Sequence, residues 1–222
     1  MSDYNIVVLI SGNGSNLQAI IDAIHQSQVD AKISAVISNR PDAFGLHRAQ
    51  LAQIPTQVVS HNDFTDRAAY DSALSEVIDQ YQPQLIVLAG FMRILTPAFV
   101  HRYPGKLINI HPSLLPHYRG THTHARVIEA NEKYHGASVH FVTEELDGGP
   151  LIAQAYFAMD ANESAEKLQQ QVQAVEHQLY PLVIQWITSH KLRWNDEKVE
   201  WLDANLANKT TDNYIRLPAE EL

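Results

Sequence analysis

The chain has 222 residues, a formal charge of −9 with 12 histidines counted neutral, 45% hydrophobic and 18% charged residues, and no cysteine. That length and balance predict one sizeable core in an ordinary globular protein. The acidic surface disfavours nucleic-acid backbones as partners. Without cysteine there are no disulfides, no thiolate metal sites and no cysteine nucleophile.

The N-terminal MSDYNIVVLISG has no basic region and reads as a first strand rather than a signal peptide. Its core, Asn5 to Ile10, is a continuous β-branched run suited to a strand buried on both faces. The turn SGNGSN follows, then LQAIIDAIHQ at helical spacing. A second strand is expected over Lys32 to Ser38, a helix over Ala43 to Ala52 and a short strand over Thr56 to Val59. Tyr70, Leu74, Val77, Ile78 and Tyr81 share one face of a helix expected over Phe64 to Tyr81. Leu85 to Ala89 and Leu107 to Ile110 read as further buried strands. Alternating strands and helices predict a doubly wound, mostly parallel α/β sheet, Rossmann-like in pattern.

Beyond residue 135 the pattern changes. Ala137 to Thr143 and Leu151 to Ala158 read as strands joined by ELDGGP, an antiparallel extension of the sheet. Leu168, Val172, Val175, Leu179, Val183 and Trp186 mark one face of a long C-terminal helix, with a bend expected near Pro181. One domain is expected over 1–204, with an anion-binding half over about 1–100 and a catalytic half over about 101–204, followed by a polar tail over 205–222. No run approaches the ~20 apolar residues of a membrane span. The expected compartment is the cytoplasm, and composition does not choose between monomer and homodimer.

SGNGSN lies between a strand and a helix, where Ser15 or Asn16 can cap the helix. N–H groups of Gly14, Ser15 and Asn16 would then face the loop and form an anion site. Leu17 replaces the third glycine of a dinucleotide fingerprint and no G-K-[ST] follows, so a small phosphorylated substrate fits better than NAD or ATP.

LINIHPSLLPHYRG starts at the carboxyl end of a strand, where ligands bind in open α/β sheets. Asn109 and His111 are two apart and point to one side of an extended backbone. A fixed amide such as Asn109 stabilises an oxyanion by ~3 kcal/mol, and a histidine donates or passes a proton. Burial lowers a histidine pKa; Asp147, in the glycine-rich ELDGGP loop, is the carboxylate expected to raise that of His111 again. Together these residues suit acyl transfer.

GNGSNLQAI, AGFMRIL, NIHPSLLPHYRG, GASVHFVTEELDGGP and EHQLYPLV, in order across about residues 5–204, resemble the phosphoribosylglycinamide formyltransferase family of purine biosynthesis. The resemblance implies transfer of a formyl group from 10-formyltetrahydrofolate, a cosubstrate, to the amine of 5-phosphoribosylglycinamide, with no metal. It implies catalytic roles for Asn109, His111 and Asp147 and acceptor binding by Gly14, Ser15, Asn16 and Glu176. It implies folate binding by Arg67, Met92, Arg93, Ile94 and Leu95, together with Asn109, His140, Val142 and Asp147.

Methionyl-tRNA formyltransferases share the SLLPxxRG pattern but add a tRNA-binding barrel, and formyltetrahydrofolate hydrolases add an N-terminal regulatory domain. This length and a fold starting at Asn5 are expected to leave room for neither. The partners expected are small-molecule substrates, with no nucleic acid and no membrane. His122 and His124 invite a metal reading, but i,i+2 residues diverge on a helix and no third ligand lies at a fixed spacing.

Overall fold

Apolar runs buried on both faces dominate the N-terminal part of the chain, and they pair side by side. The computed structural model describes residues 4–160, 163–207 and 215–216. The chain divides into two compact units, Met1–Asn109 and Ile110–Leu222, with the boundary inside one strand.

The first unit contains β1 (Asn5–Ile10), α1 (Ser15–His25), β2 (Lys32–Ser38), α2 (Phe44–Leu51), β3 (Thr56–Val58), α3 (Arg67–Asp79), β4 (Leu85–Leu88) and α4 (Pro97–Arg102). The boundary strand is β5 (Leu107–His111). Strand order here is β5-β4-β1-β2-β3, and every neighbouring pair is parallel. The chain moves from β1 outward to β3, then returns to the other side of β1 for β4 and β5. Right-handed crossovers in opposite directions place helices on both faces, so the sheet is doubly wound. The reversal creates a crevice at the carboxyl ends of β1 and β4.

The second unit contains α5 (Thr123–Glu129), β6 (Tyr134–Phe141), β7 (Leu151–Ala158), α6 (Ala165–Thr188), β8 (Leu192–Asn195), β9 (Lys198–Trp201), α7 (Ala204–Ala207) and β10 (Ile215–Arg216). β6 and β7 are antiparallel, β10 is antiparallel to β7, and β8 and β9 form a separate ribbon. The expected mostly parallel sheet with antiparallel strands in the C-terminal half is therefore present. Helix α6 buries Leu168, Val172, Leu179, Val183 and Trp186, as its periodicity predicts. Val175 is only half-buried, and Glu176 is buried beside it. The helix contains Pro181 without interruption of its assignment.

Several boundaries differ from expectation for local reasons. Helix α3 starts at Arg67 because the Asp66 carboxylate caps it, accepting from the Ala69 N–H at 2.9 Å. Neither Ser15 nor Asn16 caps α1; the N-cap is Gly14, in a left-handed conformation and without a side-chain bond. A Cβ on Gly14 would lie 2.6 Å from the Gly45 Cα, so this close approach requires glycine. Strand β6 begins and ends earlier than the apolar run suggests, and α4, α5 and the β8–β9 ribbon are additional elements. Of the tail expected over 205–222, residues 208–214 and 217–222 lie outside the described residues. Among the described residues no helix is long and apolar enough to cross a membrane.

Candidate active site

The first unit offers a glycine loop and an apolar edge. In the loop after β1, Gly14 starts α1 with no side-chain cap, so the first helical turn presents its N–H groups and the positive end of its dipole. Arg48, from α2, clamps this loop. Its Nε donates to the Asn13 carbonyl at 2.9 Å and its Nη2 to Asn13 Oδ1 at 3.0 Å. The loop is thus fixed beside a guanidinium, as an anion site requires. Sequence reading missed Arg48, whose signal is only an arginine on a neighbouring helix.

The segment after β4 is held at both ends. The Met92 N–H donates to Ser11 Oγ at 2.8 Å, and the Thr96 N–H donates to Asp71 Oδ2 at 2.7 Å. Between these anchors the Arg93 guanidinium lies 4.6 Å from the centre of the Tyr70 ring. Leu95 is buried, whereas Met92 and Ile94 are 77% and 54% exposed. A pinned backbone presenting two apolar side chains to solvent suits a flat hydrophobic ligand. Arg67, another predicted residue of the first unit, lies at the exposed start of α3. Asp71 escaped sequence reading because its partner is a backbone N–H on a distant segment.

Strand β5 carries Asn109 and His111 two apart, on one face of the strand, and Asn109 pairs with Leu88 of β4. Asn109 is half-buried and His111 buried. His111 Nε2 lies 2.9 Å from the Tyr118 carbonyl, so that nitrogen carries a proton and donates it. Nδ1 lies 3.4 Å from Asp147 Oδ2, with both side chains more than nine-tenths buried.

Asp147 has a second histidine on its other oxygen: His140 Nε2 lies 3.7 Å from Oδ1. His140 donates its Nδ1–H to the Phe141 carbonyl at 2.8 Å, and the Gly120 N–H donates to Asp147 Oδ2 at 2.9 Å. Asp147 sits at a positive φ of 49°, and a Cβ on Gly149 would come within 1.9 Å of the Phe141 carbonyl oxygen. The glycine pair expected to let this loop turn is therefore sterically required at Gly149. Val142 is half-buried where the loop leaves β6.

Electrostatics divide this group. Burial pushes the Asp147 carboxyl up, but His140, the Gly120 N–H and His111 together outweigh it and hold Asp147 below the usual carboxylate range. Burial pushes His111 down; the Tyr118 carbonyl and Asp147 oppose it, and burial wins. Asp147 thus raises His111 as expected, but not enough to offset burial. The resting imidazole is neutral with its proton on Nε2, and Nδ1 faces a carboxylate that would stabilise an added proton.

Glu176 is buried on α6, in contrast to the solvated face common for a helical glutamate. His124 Nδ1 lies 2.9 Å from His135 Nε2, so one ring donates to the other and both cannot be charged. His122 is the N-cap of α5 in a left-handed conformation. Among the described residues no group of three or more His, Cys, Asp or Glu could hold a metal ion.

The formyl transferase family model matches residues 4–184. The phosphoribosylglycinamide formyltransferase of Escherichia coli is 54% identical over 199 residues, which is 90% of this chain and 93% of the relative. The structure of the phosphoribosylglycinamide formyltransferase from Coxiella burnetii is 52% identical with a TM-score of 0.85, covering 89% of this chain and 93% of that one. Glycinamide ribonucleotide transformylase 1 from Symbiobacterium toebii is 36% identical with a TM-score of 0.87, covering 90% and 94%. The family model spans the glycine loop, β5 and the Asp147 loop, and with these likenesses the chain belongs to the phosphoribosylglycinamide formyltransferase family.

Proposed function

We propose that this chain transfers the formyl group of 10-formyltetrahydrofolate to the primary amine of 5-phosphoribosylglycinamide, in the purine-building route of the cytoplasm. The observation that carries the reading is the buried His111–Asp147 pair, with His111 two residues after Asn109 on β5. The N–H groups of Gly14, Ser15 and Asn16 bind the acceptor phosphate, with Arg48 holding their loop. Glu176 binds the ribose hydroxyls. Folate binding is assigned to Arg67, Met92, Arg93, Ile94 and Leu95 in the first unit and to His140 and Val142 in the second.

The neutral amine attacks the formyl carbon. A C–N bond forms, and the carbonyl electrons move to oxygen, where the Asn109 amide donates a hydrogen bond. The attacking nitrogen gives up a proton to His111 Nδ1, and Asp147 stabilises the imidazolium formed. The pair holds this proton jointly. The cation then protonates the folate nitrogen as its bond to the formyl carbon breaks, and the oxyanion returns to a carbonyl. Direct transfer needs no covalent enzyme intermediate.

The test supplies 10-formyltetrahydrofolate with glycinamide ribonucleotide, with methionyl-tRNA or with water alone, and follows formyl loss. The reading predicts turnover with the ribonucleotide only. Turnover with methionyl-tRNA or with water at a similar rate contradicts it.

A further inference from the structure

Segment 112–118 joins His111 to the carbonyl that fixes its tautomer, and it is bonded to two strands that carry no assigned catalytic group. Ser138 on β6 and Gln154 on β7 are direct register partners, and both are buried. The Ser138 hydroxyl donates to the Ser113 carbonyl at 2.6 Å. It accepts from the Leu115 N–H at 3.0 Å and from Gln154 Nε2 at 2.9 Å. Its one proton and two lone pairs are all used. Gln154 Nε2 also donates to the Leu115 carbonyl at 2.9 Å, so both of its hydrogens are spent.

The lock continues toward the histidine. The Ser113 N–H donates to the His111 carbonyl at 2.9 Å, and Ser113 Oγ donates to the His117 carbonyl at 2.7 Å. The next carbonyl, that of Tyr118, accepts from His111 Nε2. An apolar segment held only by packing could slide by tenths of an ångström; a saturated buried network allows far less.

We infer that Ser138 and Gln154 are positioning residues for His111: through segment 113–118 they hold the Tyr118 carbonyl on Nε2 and so leave Nδ1 as the nitrogen that faces Asp147. This rests on the proposed role of His111 in catalysis, but the tautomer itself is measurable without turnover. If the lock failed, the proton could move to Nδ1, where Asp147 would accept it. Nδ1 would then no longer be free to take a proton from the attacking amine.

The experiment records long-range ¹H–¹⁵N correlations of imidazole-labelled protein, with the His111 signal identified by its loss in His111→Gln. Wild type is expected to show the Nε2–H tautomer. Ser138→Ala and Gln154→Leu are expected to show a mixture, a His111 titration midpoint lower by about half a pH unit, and kcat lower by about tenfold. KM for either substrate should change little, and Ser138→Thr, which keeps a hydroxyl, should retain the wild-type spectrum. Should Ser138→Ala not fold, Ser113→Ala removes the hydroxyl's bond to the His117 carbonyl and its longer one, 3.5 Å, to the Tyr118 carbonyl, and is expected to give the same readout. A wild-type Nδ1–H tautomer, or variants whose tautomer and midpoint match wild type, overturns the inference whatever their activity. A wild type with the expected tautomer but no formyl transfer would instead count against the proposed function alone.

Discussion

His111 and Asp147 meet as a buried pair in which the one resting proton of the imidazole, on Nε2, is committed to a hydrogen bond with the Tyr118 carbonyl. The contact with the carboxylate becomes a full hydrogen bond only when a second proton arrives. This arrangement favours a group that takes up and releases a proton over one that is permanently charged.

In the proposed mechanism Asn109 has a separate task, the oxyanion, so its loss should leave the His111 titration intact. Asn109→Ala is expected to lower kcat by about a hundredfold, or ~3 kcal/mol in the barrier. Rates of tetrahydrofolate formation measure this, and a loss under threefold would remove Asn109 from the chemistry.

Acid should destabilise the fold. Burial, with help from His124 and His111, pushes His135 down to about 4 from the ordinary 6.5. A histidine with a depressed pKa stays neutral in the folded chain while its unfolded counterpart binds a proton. The unfolded state therefore gains protons first, and stability falls as pH drops from about 6.5 toward 4, by ~3 kcal/mol for His135 alone. His111 and His124, also lowered by burial, act in the same direction. Urea midpoints at pH 7 and pH 5 check this, and equal midpoints would contradict it.

Asp71 should affect the folate and not the acceptor. Its carboxylate holds the Thr96 N–H beneath the Met92–Leu95 segment. Asp71→Leu leaves that N–H without its acceptor and is expected to raise KM for the formyl donor about tenfold, an effect of the usual size for a lost charged acceptor. Asp71→Asn keeps an oxygen there and should recover most of the loss. Parallel changes in both substrates' KM would argue for general disruption instead.

Gly14 should affect the acceptor and not the folate. Gly14→Ala meets Gly45 and carries a strained φ of 74°, so the loop must open. KM for the ribonucleotide is expected to rise about tenfold or more, the scale of one lost phosphate hydrogen bond. Titration of the folate donor should be unchanged, and an unaltered ribonucleotide KM would place the phosphate elsewhere.

The alternating strands were legible because their apolar runs are buried on both faces, as Ile6 to Ile10 show. The contact between His111 and Asp147 was legible because a carboxylate in a glycine-rich turn is the natural partner for a histidine at a strand end. The helix cap at Gly14 was not, since the Gly45 contact that dictates it comes from another helix. Ser138, Gln154 and Asp71 were invisible for a related reason: they bond backbone groups far along the chain, and any residue can supply those groups. The resting charge of His111 depended on the balance of burial against one carboxylate, which requires coordinates.

The most direct measurement is steady-state formyl transfer from 10-formyltetrahydrofolate to glycinamide ribonucleotide by wild type and Asp147→Asn. The amide is nearly the same shape, so binding should survive, but it cannot stabilise the imidazolium as a carboxylate does. The account predicts robust turnover by wild type and a kcat at least about a hundredfold lower in Asp147→Asn, with both KM values nearly unchanged. A folded Asp147→Asn protein with kcat within threefold of wild type would contradict it.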